Sequence, residues 1–325
     1  MHQKAGSILR LFRAEEGYIS GQRISMELGV SRTAIWKHIS ALRKGGYLIE
    51  AVPSRGYRLI SSPDSIDPHE VRTGLEDTRI GQQLEYLQTT ASTNADAFRL
   101  AEAGAVEGTV VLADAQSGGK GRRGRAWASP AGVNLYCSVI LRPAIMPYEA
   151  PQLTFLSAVA AARAIELTTG LTPEIKWPND LLISGRKVAG LLNEMSAETD
   201  GINFVVLGIG VNLNMTADQF PGDLRYPATS LFLESGLRVD RSHFAATMLR
   251  ELDRLYDEFL EQGFGPVREE WQCRCNASGR QVVVTDSGTE CSKGMFSGID
   301  TDGAMLLRSD DNRVHRITCG DVRII

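Results

Sequence analysis

Residues 118–130 read G-G-K-G-R-R-G-R-A-W-A-S-P, a run with four cations and four glycines that no apolar core can take in. It must be a surface loop, and what flanks it restricts the fold around it. Glycine lets a backbone bend close to a ligand, and Lys120, Arg122, Arg123 and Arg125 supply charge, so the natural target is a phosphate or carboxylate. Gly119, Gly121 and Gly124 fit G-x-G-x-x-G after the strand-like residues 109–115. A dinucleotide fold needs a helix opening at the last glycine, whereas Trp127, Pro130 and Gly132 lead into the strand-like residues 133–141. That disfavours a doubly wound nucleotide sheet. A Walker loop fails too, because no Gly-Lys is followed by Ser or Thr. A solvated basic loop is the plain alternative, and other positions must decide.

A chain of 325 residues exceeds one ordinary domain, and 43% hydrophobic residues can bury a real core. No stretch reaches the roughly 18 apolar residues of a membrane span; the best candidate, 153–167, carries Arg163 and Glu166. The N-terminus has Arg10 and Arg13 amid its apolar residues and no signal-peptide core, so a cytoplasmic location is expected. Cysteines stand at 137, 273, 275, 291 and 319, an odd number without paired metal-ligand spacing, which reads as reduced thiols.

The net charge of −4 hides an asymmetry. Residues 1–60 hold ten Lys/Arg against four acids, a net of +6, so the remainder carries −10. A basic head on an acidic body predicts different partners for the two parts, nucleic acid first for the head. Ile8, Leu9, Leu11 and Phe12 recur at helical spacing, Gly17 stops that helix, and Ser20 caps a second one running to Leu28. Gly29-Val30-Ser31 turns the chain, and Ser31 caps a third helix over 32–44 with Ile35, Ile39 and Leu42 on one face. Helix-turn-helix geometry offers the N-terminal end of that helix to a major groove, which makes Gly21, Ser31, Arg32, Thr33, Trp36, Lys37 and Ser40 the candidate DNA contacts. Strands over 47–52 and 57–60, joined by Pro53-Ser54-Arg55-Gly56, form a wing whose Arg55 can reach a phosphate. The plain alternative is a helical mini-domain for protein contact, with Trp36 and His38 as partly buried packing residues.

Ser61-Ser62-Pro63-Asp64-Ser65 is turn-forming, and Asp67-Pro68 can cap a short helix to about Leu75. The body then alternates strands (84–88, 109–115, 133–141) with helices (95–103, 150–169) before four strands in a row, 174–177, 181–184, 187–197 and 203–212, for which antiparallel pairing is expected. A second long helix covers 241–262. The tail reads as strands over 280–285, 290–299, 304–309 and 314–325, punctuated by Asp286-Ser287-Gly288, Asp302-Gly303 and Asp310-Asp311-Asn312. The fold class is multidomain α+β: a winged helix-turn-helix over 1–62, a linker with a short helix over 63–83, a central mixed sheet with helices on one face over 84–275, and a small SH3-like β-barrel over 276–325.

Several segments of the body carry polar chemistry. T-T-A-S-T-N at 89–94 lies between a strand and a helix, so its hydroxyls and free amides can receive a polar ligand end, although such a segment is also a helix cap. Gln116 ends the strand before the basic loop, K-W-P-N-D at 176–180 makes a sharp turn, and Lys187 opens the next strand in R-K-V-A-G. Each alone is an ordinary turn.

Taken in order, S-T-N at 92–94, Gln116 with G-K-G-R-R-G-R, Trp127-x-S-P, N-L-Y at 134–136, K-W-P-N-D, and G-R-K-x-A-G-x-L at 185–192 resemble the biotin protein ligases. The helix-turn-helix head makes the chain similar to the bifunctional members that also repress biotin operons. One departure is visible: Lys120 stands where the family's loop usually begins with arginine, keeping the charge and losing the bidentate fork.

The resemblance implies a biotin/ATP-binding catalytic domain over 84–275 that makes biotinyl-AMP from biotin and ATP, with Mg²⁺, and transfers biotin to a lysine of a biotin carboxyl carrier protein domain. It implies that Ser92, Thr93, Asn94, Gln116, Lys120, Gly121, Arg122 and Lys187 hold biotin, and that Lys187, Asp180 and Arg122 carry the chemistry. Arg123, Arg125, Trp127, Asn179 and Asn212 fall to ATP or the adenylate, and the basic loop becomes a lid that orders on ligand. Operator DNA and a homodimer in the adenylate-bound state follow for the head. A ligand-responsive repressor without catalysis, and a lipoate or other acyl-adenylating ligase, remain as alternatives; Lys187, Asp180 and the basic loop favour the biotin ligase.

Overall fold

The computed structural model describes residues 2–15, 17–62, 65–75, 77–199, 201–286 and 289–325; Pro63 and Asp64 of the expected linker turn, and Ser287 and Gly288 of the expected tail turn, lie outside them. The head forms as its caps dictate. Helices α1 (His2–Ala14), α2 (Gly21–Leu28) and α3 (Arg32–Lys44) are separated by Ser20 and Ser31, whose hydroxyls accept from the amides of Arg23 and Ala34, each at 3.2 Å. Ile8, Leu9, Ile24, Ile35 and Ile39 close a core of their own with Ile19 and Ile49. Strands β1 (Leu48–Val52) and β2 (Gly56–Ser61) pair antiparallel as the wing.

Helix α4 (Pro68–Thr73), capped by Asp67, leads into the body. Its sheet has the order β3-β4-β5-β9-β8-β7-β6, with β3 (Leu84–Thr90) and β4 (Val110–Gln116) parallel across helix α5 (Thr93–Glu102). The other ladders, through β5 (Leu135–Leu141), β6 (Glu174–Lys176), β7 (Asp180–Ile183), β8 (Arg186–Glu198) and β9 (Gly201–Val211), are antiparallel, as expected for four consecutive strands. Period-two alternation sends Val110, Leu112, Val139, Val205 and Leu207 into the main core under α6 (Gln152–Thr169) and α8 (Arg241–Gln262). Val111, Ile140, Phe204 and Val206 face the other way, into a smaller core closed by Ala97 and Ala101 of α5. The long helices therefore share one face, and α5 lies on the opposite one. Two short helices, α7 (Leu231–Ser235) and α9 (Gly265–Arg274), have no counterpart in the sequence reading. The first is too brief for a period to show, and the second opens with Gly-Pro, a loop signal.

The tail is a five-stranded antiparallel sheet ordered β13-β12-β11-β10-β14. Strands β10 (Gln281–Asp286), β11 (Thr289–Ile299) and β12 (Met305–Arg308) follow expectation, but the single strand expected over 314–325 is two, β13 (Val314–Ile317) and β14 (Asp321–Ile324). The break falls at Gly320, whose φ of +143° turns the chain across to the far edge beside β10.

Three consecutive residues at the start of α8 tie the parts together. Asp240 caps the helix and pairs with Arg13 of the head, which also reaches Glu70 of α4; the Tyr47 hydroxyl donates to Glu70 as well. Burial pushes the Glu70 carboxyl above its usual range despite Arg13. Arg241, whose side chain is 0% exposed, donates to Asp114 Oδ1 (2.8 Å) and to the carbonyl of Asn134 (2.9 Å). Ser242 Oγ accepts the Asp67 amide at 2.8 Å. No helix among the described residues is long and apolar enough to cross a membrane.

Candidate active site and nucleic-acid interface

The carboxyl ends of β3 and β4, the amino end of α5 and the turn between β6 and β7 surround a cavity of about 550 Å³. That volume suits one small organic ligand or two joined end to end. Ser92 stands at the amino end of α5 but makes no side-chain cap bond, so its buried hydroxyl is not spent on the helix. Thr93 donates to Gln116 Oε1 from its amide (2.8 Å) and hydroxyl (3.1 Å), and Gln116 Nε2 donates to Ser129 Oγ (3.0 Å). Asn94 Nδ2 donates to the Leu192 carbonyl (3.1 Å) and to Glu194 (2.8 Å), while Ser138 Oγ donates to Asn94 Oδ1 (2.7 Å). These groups form one hydrogen-bonded end of the cavity, with its donors and acceptors fixed by packed elements.

The floor is glycine. A Cβ on Gly208 would come within 2.2 Å of Asn94 Oδ1, and one on Gly210 within 2.7 Å of the Trp127 indole, which lies across β8 and β9. Trp127 Nε1 is buried and has no hydrogen-bond partner among the described residues. Lys187 Nζ sits 5.3 Å from the centroid of that ring and 2.6 Å from Asp180. Its backbone is pinned on both sides: the Lys187 amide donates to the Pro227 carbonyl (2.8 Å), and the Thr229 amide donates back (2.9 Å). Seven cationic side chains against three carboxylates line the cavity, so it is a cationic site for an anionic ligand. Burial lowers the pKa of Lys176 and that of Arg122 from their usual values.

The basic loop is folded back on itself. Lys120 bridges Ala126, the Gly121 amide donates to the Arg125 carbonyl (2.7 Å), and the Trp127 amide donates to Gly119 (2.9 Å). Arg122 points inward and donates to Asn179 Oδ1 at 3.4 Å; Asn179 in turn donates to the Leu191 carbonyl at 2.6 Å. Arg123 and Arg125 also line the cavity, yet they are engaged by the C-terminal unit, Arg123 by Asp286 (2.6 Å) and Arg125 by Asp321. Asn212 borders the cavity with its amide already committed to the Thr229 carbonyl (3.0 Å).

All the body residues singled out from the sequence thus converge on one cavity. Reading the sequence missed Ser138 and Glu194, the glycine floor, and the segment around Phe220, Arg225 and Tyr226. It also missed Asp321, which reaches the cavity from the tail and holds Arg225 at 2.9 Å. Only the floor left a signal, since Gly208-Ile209-Gly210 interrupts an otherwise apolar strand.

On the head, Arg32, Thr33 and Lys37 are exposed on α3, and Trp36 is 61% exposed, which overturns its reading as a packing residue. His38 is buried, and burial lowers its pKa. Ser31 is used as a cap; Gly21 and Ser40 are half-buried, and Arg55 stands exposed on the wing.

Comparison with known proteins agrees with this division. Residues 86–212 match the biotin/lipoate A/B protein ligase family, residues 5–58 an HTH domain, and residues 277–323 the biotin protein ligase C terminal domain. The bifunctional ligase/repressor BirA of Bacillus subtilis is 41% identical over 98% of this chain and 97% of its own length. That of Escherichia coli is 32% identical over 90% of this chain and 88% of its own. The solved structure of biotin protein ligase from Aquifex aeolicus in complex with biotin and ATP superposes with a TM-score of 0.64 at 27% identity, covering 75% of this chain and 99% of that one.

Proposed function

The chain belongs to the bifunctional biotin protein ligase/repressor family, and we propose that its cavity is where biotin and ATP become biotinyl-AMP. The biotinyl group then passes to a lysine of a biotin carboxyl carrier protein domain, and the adenylate-bound form represses biotin operon transcription. The observation that carries this reading is the joining, in one cavity, of the hydrogen-bonded end at Ser92, Thr93, Asn94 and Gln116 to the cationic end at Arg122 and Lys187. The first suits the paired donors and acceptors of a ureido ring, the second a carboxylate brought against a phosphate.

A biotin carboxylate oxygen attacks the α-phosphorus of ATP and pyrophosphate leaves. Two anions must meet, and Lys187 with Arg122 lowers the cost of that approach and of the charge that develops. The carrier lysine's amine then attacks the acyl carbon and AMP departs. Asp180, held beside Lys187, is placed to orient the amine or take its proton. Trp127 covers the adenylate, and Arg123, Arg125, Asn179 and Asn212 lie on the ATP side. Lys120 and Gly121 belong to the lid, which shields the mixed anhydride from water. As for Mg²⁺, no group of three His, Cys, Asp or Glu side chains that could hold a metal occurs among the described residues, and Asp180 and Asp321 are already engaged by cations. On this reading Mg²⁺ comes with the triphosphate, whose oxygens it favours.

Dimerisation has a ready surface. Strand β8 pairs with β7 only up to Gly190, whereas its ladder with β9 runs on to Glu198, so residues 192–198 present an unpaired edge. Antiparallel pairing of two such edges gives a two-fold dimer, matched to a two-half-site operator. On this reading the chain works in the cytoplasm.

The test is ATP-dependent biotin transfer to a purified carrier domain. Labelling of its lysine with release of AMP is expected; absence of labelling under conditions where biotin and ATP still change DNA binding overturns the catalytic assignment. A second expectation concerns the floor: Gly208→Ala sets a methyl against Asn94, and overpacking of about 1–3 kcal/mol, taken from binding, corresponds to roughly 5- to 150-fold weaker biotin binding by calorimetry. Unchanged affinity would remove Asn94 from the biotin site.

A further inference from the structure

Two arginines of the wing share one aromatic ring. The guanidinium carbon of Arg55 stands 4.3 Å from the centroid of Tyr18, and that of Arg58 4.9 Å. Their surroundings differ. Arg58 is paired with Glu50 at 2.9 Å, and Glu50 also accepts the Tyr18 hydroxyl at 2.6 Å. Those two bonds, the Tyr18 hydroxyl first, hold the Glu50 carboxyl below its usual range. Arg55 is exposed beside the wing turn and pairs with no carboxylate among the described residues.

The wing cannot swing away from Tyr18. Ile19 and Tyr57 exchange both backbone hydrogen bonds, each at 2.9 Å, which laces the segment between α1 and α2 onto β2. Gly56 makes the approach possible, since a Cβ there would meet the Ile19 carbonyl oxygen at 2.1 Å. Ring, wing and arginine thus form one unit, in which a guanidinium held over an aromatic face keeps its N–H donors aimed at solvent.

We infer that Tyr18 is a positioning residue that presents Arg55 as a preformed contact for a DNA phosphodiester. The Ile19–Tyr57 backbone bonds hold the ring in place, and Glu50 and Arg58, paired with each other, do not themselves bind. The inference rests on the DNA-binding reading of the head. A phosphate contact is blind to sequence, so a mixed-sequence DNA duplex serves as the probe, with affinity measured against salt concentration in the presence of biotin and ATP. Arg55→Gln is expected to weaken binding several-fold at low salt and to reduce the slope of log affinity against log salt by ~0.9 for each protomer bound to the duplex. Tyr18→Leu should reproduce both changes and add nothing to Arg55→Gln in the double variant. Tyr18→Phe keeps the ring and should keep wild-type affinity and slope, as should the slope of Arg58→Gln. Should Tyr18→Leu fail to fold, Arg55→Gln at its exposed position still decides the contact, and Tyr18→Gln, which removes the aromatic face at a half-buried position, decides the ring. A wild-type slope in Arg55→Gln or Tyr18→Leu overturns the inference while leaving DNA binding by the head intact. If the wild-type chain does not bind the duplex at all, the DNA-binding reading falls and the inference with it.

Discussion

Replacing Lys187 by methionine is expected to cut adenylate formation steeply and leave the fold in place. Arg123 and Arg125 are drawn to Asp286 and Asp321, and Arg122, beside Asn179, already has its own share of the screening. Two unit charges of like sign at 4 Å repel by about 4 kcal/mol at the effective dielectric near a protein surface, so losing the cation that stands between carboxylate and phosphate is costly. By analogy with the removal of a single charge-stabilising donor, pyrophosphate release should fall by about two to three orders of magnitude. Stability should barely move. Methionine keeps the aliphatic stem against Trp127, the backbone bonds to Pro227 and Thr229 do not involve the side chain, and Asp180 retains Lys176 and Arg122 as cationic neighbours. Near-normal pyrophosphate release would strip Lys187 of its role; a large loss of melting temperature would mean that the residue is structural.

The opposite pattern is expected for Asp114→Ala. Its carboxylate is the ion-pair partner of Arg241, whose guanidinium has no exposure at all. Removing one member of a buried pair takes a counter-charge away from the other, which costs about 3–5 kcal/mol. For a chain of this size that lowers the melting temperature on the order of 10 °C. Because Arg241 also donates to the Asn134 carbonyl and Asn134 supports the Leu213 amide at 3.0 Å, the damage should spread toward the cavity wall. The double variant Asp114→Ala with Arg241→Met removes both charges and should recover a large part of the loss. A single-variant cost below about 1 kcal/mol in urea unfolding would show that the pair is not what holds this junction.

Elements with a strong local signal were legible before any coordinates. Ser20 and Ser31 cap the helices they predict, because capping is decided within four residues. The body strands declared themselves through apolar runs and the two long helices through length. The basic loop stood out by itself, since charge in a Gly-rich turn has few structural uses, whereas Lys187 and Asp180, ordinary turn residues taken alone, were singled out only through the family resemblance. What sequence could not show is set by tertiary distance. Asp321 lies 196 residues from Arg125, and no periodicity relates them. Ser138 and Glu194 are ordinary strand residues until folding brings Asn94 between them. Trp36 carried two readings, a DNA contact and a packing residue, and its exposure opposite the buried Ile35 and Ile39 of α3 removes the second.

The ionic cluster at the start of α8 sets a rule for anyone wishing to graft this head onto another body. Its own half of the joint is Arg13 and Tyr47; the receiving half is Glu70 and Asp240. Moved alone, the head carries a guanidinium with no counter-ion, and the body left behind keeps two neighbouring carboxylates with Arg13 removed. The transferable unit therefore does not end at the wing but includes α4 and the cap of α8, about 180 residues further along the chain from the wing's last strand.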